Sequence, residues 1–265
     1  MNIWTERSID LANQFDYLDR LFKIYPMANN LRRKINPTDI DKIKQYYENK
    51  NAVELLNLLL EQEIFPLKDS YIAYLKRDKT AIHRNPQTVN RIVSSIYQME
   101  WKEILDKITQ PKETNRQIGP LFKRWLNTAF SYPITDNEET FLSYNKGTII
   151  FNASDNKMQE MAQKYFGYHR NKGLDFIAKN KQNVLIGDAK FLTDFGGHQT
   201  AQFEDAIATL TYPLEKTEYQ VQTIAILDGV LYIKGKNKLY SSLQKFTDEK
   251  IISSALFLKD ILCLL

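Results

Sequence analysis

The stretch LDFIAKNKQNVLIGDAKFLTDFGGHQ, residues 174–199, decides the fold. Residues 174–179 alternate and read as one strand. Residues 183–191, beginning with the run Val184-Leu185-Ile186, read as a second. With 180–183 as a four-residue hairpin loop, Lys179 faces Val184 and Asp175 faces Asp188. Successive side chains point to opposite sides of a strand, so Asp188 and Lys190 share a face while Ala189 points away. Directly opposed side chains lie roughly 5 Å apart. Two carboxylates that close repel unless one is protonated or a cation sits between them. Hard oxygen ligands at that spacing suit Mg²⁺, and a lysine beside them is a point charge for a phosphate oxygen or an oxyanion. The trio describes a metal-dependent phosphodiesterase site, where a polarised phosphate meets an acidified water. The same residues also fit a surface hairpin whose lysine bridges two acids. An acid-x-Lys triplet is weak alone: Glu48-Asn49-Lys50, Asp155-Asn156-Lys157 and Asp248-Glu249-Lys250 are others. Only Asp188-Ala189-Lys190 ends an apolar strand and has a second acid on the neighbouring one.

Outward from this hairpin, 148–151 is a short strand and 155–166 a helix with Ser154 as N-cap. Residues 199–210 form a helix whose Phe203, Ala206, Ile207 and Leu210 recur at i, i+3, i+4 and i+7. Residues 219–227 form a further strand, to which 230–233 pairs across the turn Asp228-Gly229. Helix, strand, strand, helix, strand is an α/β or α+β core with a sheet flanked by helices. The N-terminal part differs. All nine glycines lie at or after Gly119, and a chain without them lacks the residue that most readily makes tight turns. A helix starts at Thr38, after Pro37; 51–60 is leucine-rich; 87–108 places Val89, Ile92, Val93, Ile96, Leu105 and Ile108 near one face; and 119–128 is amphipathic. The expected division is therefore a mainly helical region, 1–118, and a core, 119–265, that carries the site.

The composition narrows the class. Apolar residues at 43% and charged residues at 26% are ordinary for a globular protein. No stretch reaches the length of apolar sequence that a membrane span needs, and charges appear too early in the first ten residues for a signal peptide. A single cysteine, Cys263, excludes an internal disulfide and a zinc site built on several cysteines. A cytoplasmic location is expected. The net charge of +4 permits a polyanionic partner without demanding one.

The spacing of Asp175 from Asp188-Ala189-Lys190, with the element order around it, resembles the PD-(D/E)xK nuclease superfamily. The block 186–199 resembles type II restriction endonucleases, and so does Arg116-Gln117-Ile118-Gly119-Pro120-Leu121-Phe122. The resemblance covers roughly 145–230 well and the helical part poorly. It implies a mixed central sheet of the restriction-endonuclease-like type and Mg²⁺-dependent hydrolysis of phosphodiester bonds in duplex DNA at a specific sequence, leaving 5′-phosphate ends. It further implies a homodimer and a cognate DNA methyltransferase, with the helical region serving DNA recognition, dimerisation or both. By the same resemblance Asp175 and Asp188 are the metal-binding acids, Lys190 the catalytic lysine, and the Ala189 carbonyl a further ligand. Glu160 matches a supporting glutamate, and Gln199 and Gln202 a supporting glutamine. Leu174 stands where the motif has proline. Other readings are another nuclease of the superfamily, acting in repair or on branched DNA, and a non-catalytic DNA-binding protein.

Basic and aromatic residues near the site are candidate DNA contacts. Arg116 and Lys123 belong to a basic, amide-rich segment that otherwise reads as a solvated loop and helix face. His169, Arg170 and Lys172 lie in a cluster just before Asp175. His198 follows two glycines and otherwise reads as a solvated loop histidine.

Overall fold

The computed structural model describes residues 1–26, 32–111 and 117–265. The chain divides into two compact units, Met1–Met27 with Thr114–Leu265, and Ala28–Glu113. In chain order, the first unit opens with α1 (Ile3–Ala12) and α2 (Tyr17–Ile24). The second unit follows with α3 (Pro37–Glu48), α4 (Ala52–Glu61), α5 (Ser70–Arg77), α6 (Ala81–Arg84), α7 (Pro86–Tyr97) and α8 (Trp101–Ile108). The first unit resumes with α9 (Ile118–Ala129), β1 (Ile134–Thr135), α10 (Glu138–Ser143), β2 (Thr148–Phe151), α11 (Asp155–Tyr165), β3 (Phe176–Asn180), β4 (Asn183–Leu192), α12 (Gly197–Leu210) and β5 (Gln220–Gly229). It closes with α13 (Lys238–Leu243), β6 (Ile251–Ser253) and α14 (Leu258–Cys263).

The helical unit has its own core. Ile43 of α3, Leu55, Leu56 and Leu59 of α4, Ile92 and Ile96 of α7 and Ile104 of α8 are fully or almost fully buried together. Each helix contributes one apolar stripe, which it can bury only against its neighbours. The single helix expected over 87–108 is two. Glu100 is extended at ψ 149°, Met99 beside it is buried, and the Met99 carbonyl accepts the Tyr47 hydroxyl of α3 at 2.8 Å. That tertiary contact breaks a pattern that is periodic on both sides.

The other unit is a mixed α/β fold, as its sequence indicates. The described residues form a six-stranded sheet in the order β1-β2-β3-β4-β5-β6. β1 pairs parallel with β2; β2 with β3 and β3 with β4 antiparallel; β4 with β5 and β5 with β6 parallel. The central strands are buried on both faces, and alternation sorts their side chains between two clusters. Phe176, Ala178, Leu185 and Ala189 join one, while Ile177, Val184 and Ile186 join the other.

The structure departs from the sequence pattern at two places. Residues 230–233 do not pair with β5; Val230–Tyr232 is a 3₁₀ turn that buries Leu231 and Tyr232, and β6 takes the parallel place beside β5. The expected boundary after residue 118 also fails for the N-terminus. α1 and α2 bury Trp4, Ile9, Leu11, Leu21 and Ile24 in the core of the sheet unit. The Thr5 hydroxyl donates to the Ile252 carbonyl at 2.8 Å, and Ser254 N–H donates to the Ser8 hydroxyl at 2.8 Å. Tyr25 donates to the fully buried Asp228 at 2.9 Å, whose carboxyl is pushed up to about 6 by burial against the pull of its hydroxyl donors. Among the described residues no helix is long and apolar enough to cross a membrane.

Candidate active site

The β3–β4 hairpin keeps the register read from the sequence, with Lys179 opposite Val184. Its loop is shorter than expected. Asn180 pairs with Asn183, leaving two residues, of which Lys181 takes a left-handed φ of 54°. At the other end the ladder steps. Phe176 pairs with Gly187, yet the Asp175 N–H also donates to the Gly187 carbonyl, at 3.0 Å. Two residues of one strand thus meet one of the other, a bulge-like step that re-aims a side chain. Asp175 consequently does not oppose Asp188 squarely. It turns toward the next residues of β4, accepting from the Ala189 N–H at 3.0 Å and from Lys190 Nζ at 2.5 Å on the same oxygen.

Gly187 makes the close packing here possible. A Cβ at this position would lie 1.9 Å from the Ile224 carbonyl oxygen of β5, far inside contact distance. β4 and β5 pair in parallel from Asn183↔Gln220 to Leu192↔Gly229, and this ladder carries Asp188 and Lys190.

Asp188 is completely buried. Its Oδ2 accepts from Lys172 Nζ and from the Thr209 hydroxyl of α12 at 2.8 Å. Its Oδ1 is buried without a hydrogen-bond partner among the described residues. Burial pushes the carboxyl above the ordinary range; Lys190 and Lys172 draw it down, and Asp175 adds to the rise. Lys190 shows the converse. Burial lowers its pKa, but Asp175 and Asp188 more than offset this and hold the ammonium above its usual value. Asp175, Ala189, Lys190 and Phe191 line a 150 Å³ pocket with Ile118 and Gly119 of α9 and Gln202 of α12. A roomier hollow of 540 Å³, lined by Glu138, Ser143, Lys157 and Tyr165 among others, includes neither acid and lies apart from this chemistry.

The other expected site residues scatter. Gln202 reaches the pocket. Gln199 is buried and exchanges hydrogen bonds with Thr193, through its backbone N–H and its hydroxyl, both at 3.3 Å. Glu160 is exposed on α11, and among the described residues no three His, Cys, Asp or Glu side chains converge on a common metal position. Lys123 is held within its own unit, donating to the Ala153 carbonyl at 2.7 Å and to Asp155. Arg170 pairs with Asp205 at 2.7 Å, and Lys172 with both Asp188 and Asp205. His169 is exposed and meets Glu215 at 3.1 Å. His198 is exposed beside Gln202, 3.2 Å away. Arg116 lies outside the described residues.

Asp205 and Thr209 are the residues that sequence reading missed. They sit at i and i+4 on α12, so they share a face, and that polar pair lies beside the apolar stripe of Phe203, Ala206 and Leu210. This was the available signal.

The donor chemistry fits a hard divalent cation. A buried carboxylate oxygen with no donor is costly to leave bare, and the Asp188 Oδ1 is in that condition beside a second carboxylate. The family model described as Tsp45I type II restriction enzyme matches residues 2–265. No curated protein and no solved structure matches the chain.

Proposed function

From the premise that the chain belongs to the Tsp45I type II restriction enzyme family, and is therefore a site-specific deoxyribonuclease, we propose that it cuts duplex DNA with Mg²⁺ held by Asp175, Asp188 and the Ala189 carbonyl, and with Lys190 at the scissile phosphate. The single observation that carries this reading is the bare, buried Oδ1 of Asp188 beside an Asp175–Lys190 pair that opens onto a pocket. Bound Mg²⁺ would supply Lewis-acid polarisation of the phosphate and lower the pKa of a water.

The chain's own residues do the rest. Asp175 and Asp188 set negative charge where a cation is required. Lys190 stays protonated under their field, so it offers a full charge to the phosphate as negative charge builds in the transition state. For this its ammonium turns from Asp175 toward the substrate. Gln202, on the pocket wall, can donate to or accept from the same phosphate or its water, whereas Gln199 supports the loop that starts α12. Glu160 enters only as a residue that approaches when DNA is bound. His169, His198, Arg116, Lys123, Arg170 and Lys172 are the candidates for backbone contacts; His169, Lys123, Arg170 and Lys172 would exchange acids and carbonyls of their own unit for phosphates. We assign the helical unit to DNA recognition, dimerisation or both, and expect a homodimer acting in the cytoplasm beside a methyltransferase that protects host DNA.

Digestion of long duplex DNA with and without Mg²⁺ tests this. Discrete fragments that require Mg²⁺ and vanish with a chelator are the expected result. A smear would point instead to a nuclease without strict sequence, and binding without cutting in Mg²⁺ would overturn the assignment of the three residues.

A further inference from the structure

Asp188 is held very unevenly. Among the described residues two donors converge on one oxygen, and the other has none. The donors are themselves fixed. Lys172 Nζ spans Asp188 and Asp205, the latter at 2.5 Å. Arg170 donates to Asp205 Oδ1 at 2.7 Å, to the Asp205 carbonyl at 3.1 Å and to Thr209 Oγ1 at 2.7 Å. A guanidinium only donates. The Thr209 oxygen therefore accepts from Arg170, and its one proton has Asp188 Oδ2 at 2.8 Å as its nearer acceptor, the Asp205 carbonyl lying 3.4 Å away. Thr209 and Asp188 are both fully buried, and the hydrogen bond between them is buried with them.

We propose that Lys172, Arg170, Asp205 and Thr209 form a positioning clamp that saturates Oδ2 of Asp188 and presents Oδ1 alone to the divalent cation. This rests on the metal-dependent reading above and adds to it a set of positioning residues. The clamp fixes the carboxylate plane before the cation arrives, so binding does not have to order it. Outer partners of this kind typically govern metal affinity, and losing one costs about 10- to 100-fold. The arrangement also explains why two lysines flank Asp188: Lys190 serves the pocket, and Lys172 serves the carboxylate.

Thr209→Val tests the clamp, because it removes the hydroxyl while keeping shape and charge. Mn²⁺ is titrated into the DNA-free protein with the free ion read by electron paramagnetic resonance, and the Mg²⁺ dependence of duplex cleavage is measured in parallel. Thr209→Val is expected to weaken Mn²⁺ binding roughly 10-fold and to move half-saturation in Mg²⁺ by a similar factor, with the rate at saturating Mg²⁺ largely restored. Thr209→Ser, which keeps the hydroxyl, stays near wild type. Should Thr209→Val not fold, Thr209→Ala is read in the same way. Mn²⁺ binding unchanged in Thr209→Val, or a slower maximal rate with no change in metal dependence, overturns the clamp. Asp188→Asn is the control for the underlying reading. If it binds Mn²⁺ as tightly as wild type, the metal site itself is misassigned, whatever Thr209→Val does.

Discussion

Asp188→Asn lowers the rate of duplex cleavage by on the order of 10³-fold or more while DNA is still bound. The expectation follows from what the substitution changes. Asn keeps the shape and one carbonyl oxygen but loses the negative charge that faces Asp175, Lys190 and Lys172. It also brings an amide N–H₂ to a site where Lys172 and Thr209 already donate. The electrostatic reason to hold a divalent cation is gone. Lys190→Met should cost on the order of 10²- to 10³-fold, because it removes one charged group from the transition state, and it also strips Asp175 of its ammonium partner. Single-turnover rates at saturating protein, with binding followed by gel shift in Ca²⁺, separate chemistry from affinity. A variant at either position that cuts within tenfold of wild type would refute its assigned role.

Gly187→Val should yield no folded protein. Even the first carbon of a side chain would fall 1.9 Å from the Ile224 carbonyl oxygen, and 2.8 Å from the Ile224 side chain. The obstacle is backbone in the centre of the sheet, so it cannot rotate aside. Either β4 leaves β5 or the bulge-like step at Asp175 is lost. A domain is stable by only about 5–15 kcal/mol, and a clash of this kind is expected to remove more than about 4 of them. Expression, circular dichroism and thermal melting report the outcome. A variant that melts within a few degrees of wild type would show that the sheet can relax around this position, and that the close approach does not hold the site.

Much of this geometry was legible in the sequence because the hairpin is local. The assumed hairpin loop sets the register, and the even spacing of Asp188 and Lys190 sets the face they share; the apolar runs 176–178 and 184–186, buried on both sides, mark the strands without fixing either. The N-cap at Ser154, whose hydroxyl accepts from the Lys157 N–H, was legible for the same reason. What failed depended on distant partners. The N-terminal helices have an ordinary amphipathic pattern, and nothing in it says that Tyr17 and Tyr25 meet Gly229 and Asp228 more than 200 residues on. Residues 230–233 have strand composition, but Gly229 at φ 101° and the burial of Tyr232 turn them into a 3₁₀ turn. The step at Asp175 is a backbone event that side-chain alternation does not encode. That Arg170 and Lys172 pair with Asp205 is likewise invisible locally, because Asp205 lies on a later helix.

The most direct test of the central claim is the position of a bound metal. Crystals soaked in Mn²⁺ and measured at the manganese absorption edge should show an anomalous peak coordinated by Asp175, by Oδ1 of Asp188 and by the Ala189 carbonyl, with Lys190 beside it. A peak on other residues, or none at Mn²⁺ concentrations that support cleavage, would contradict the account.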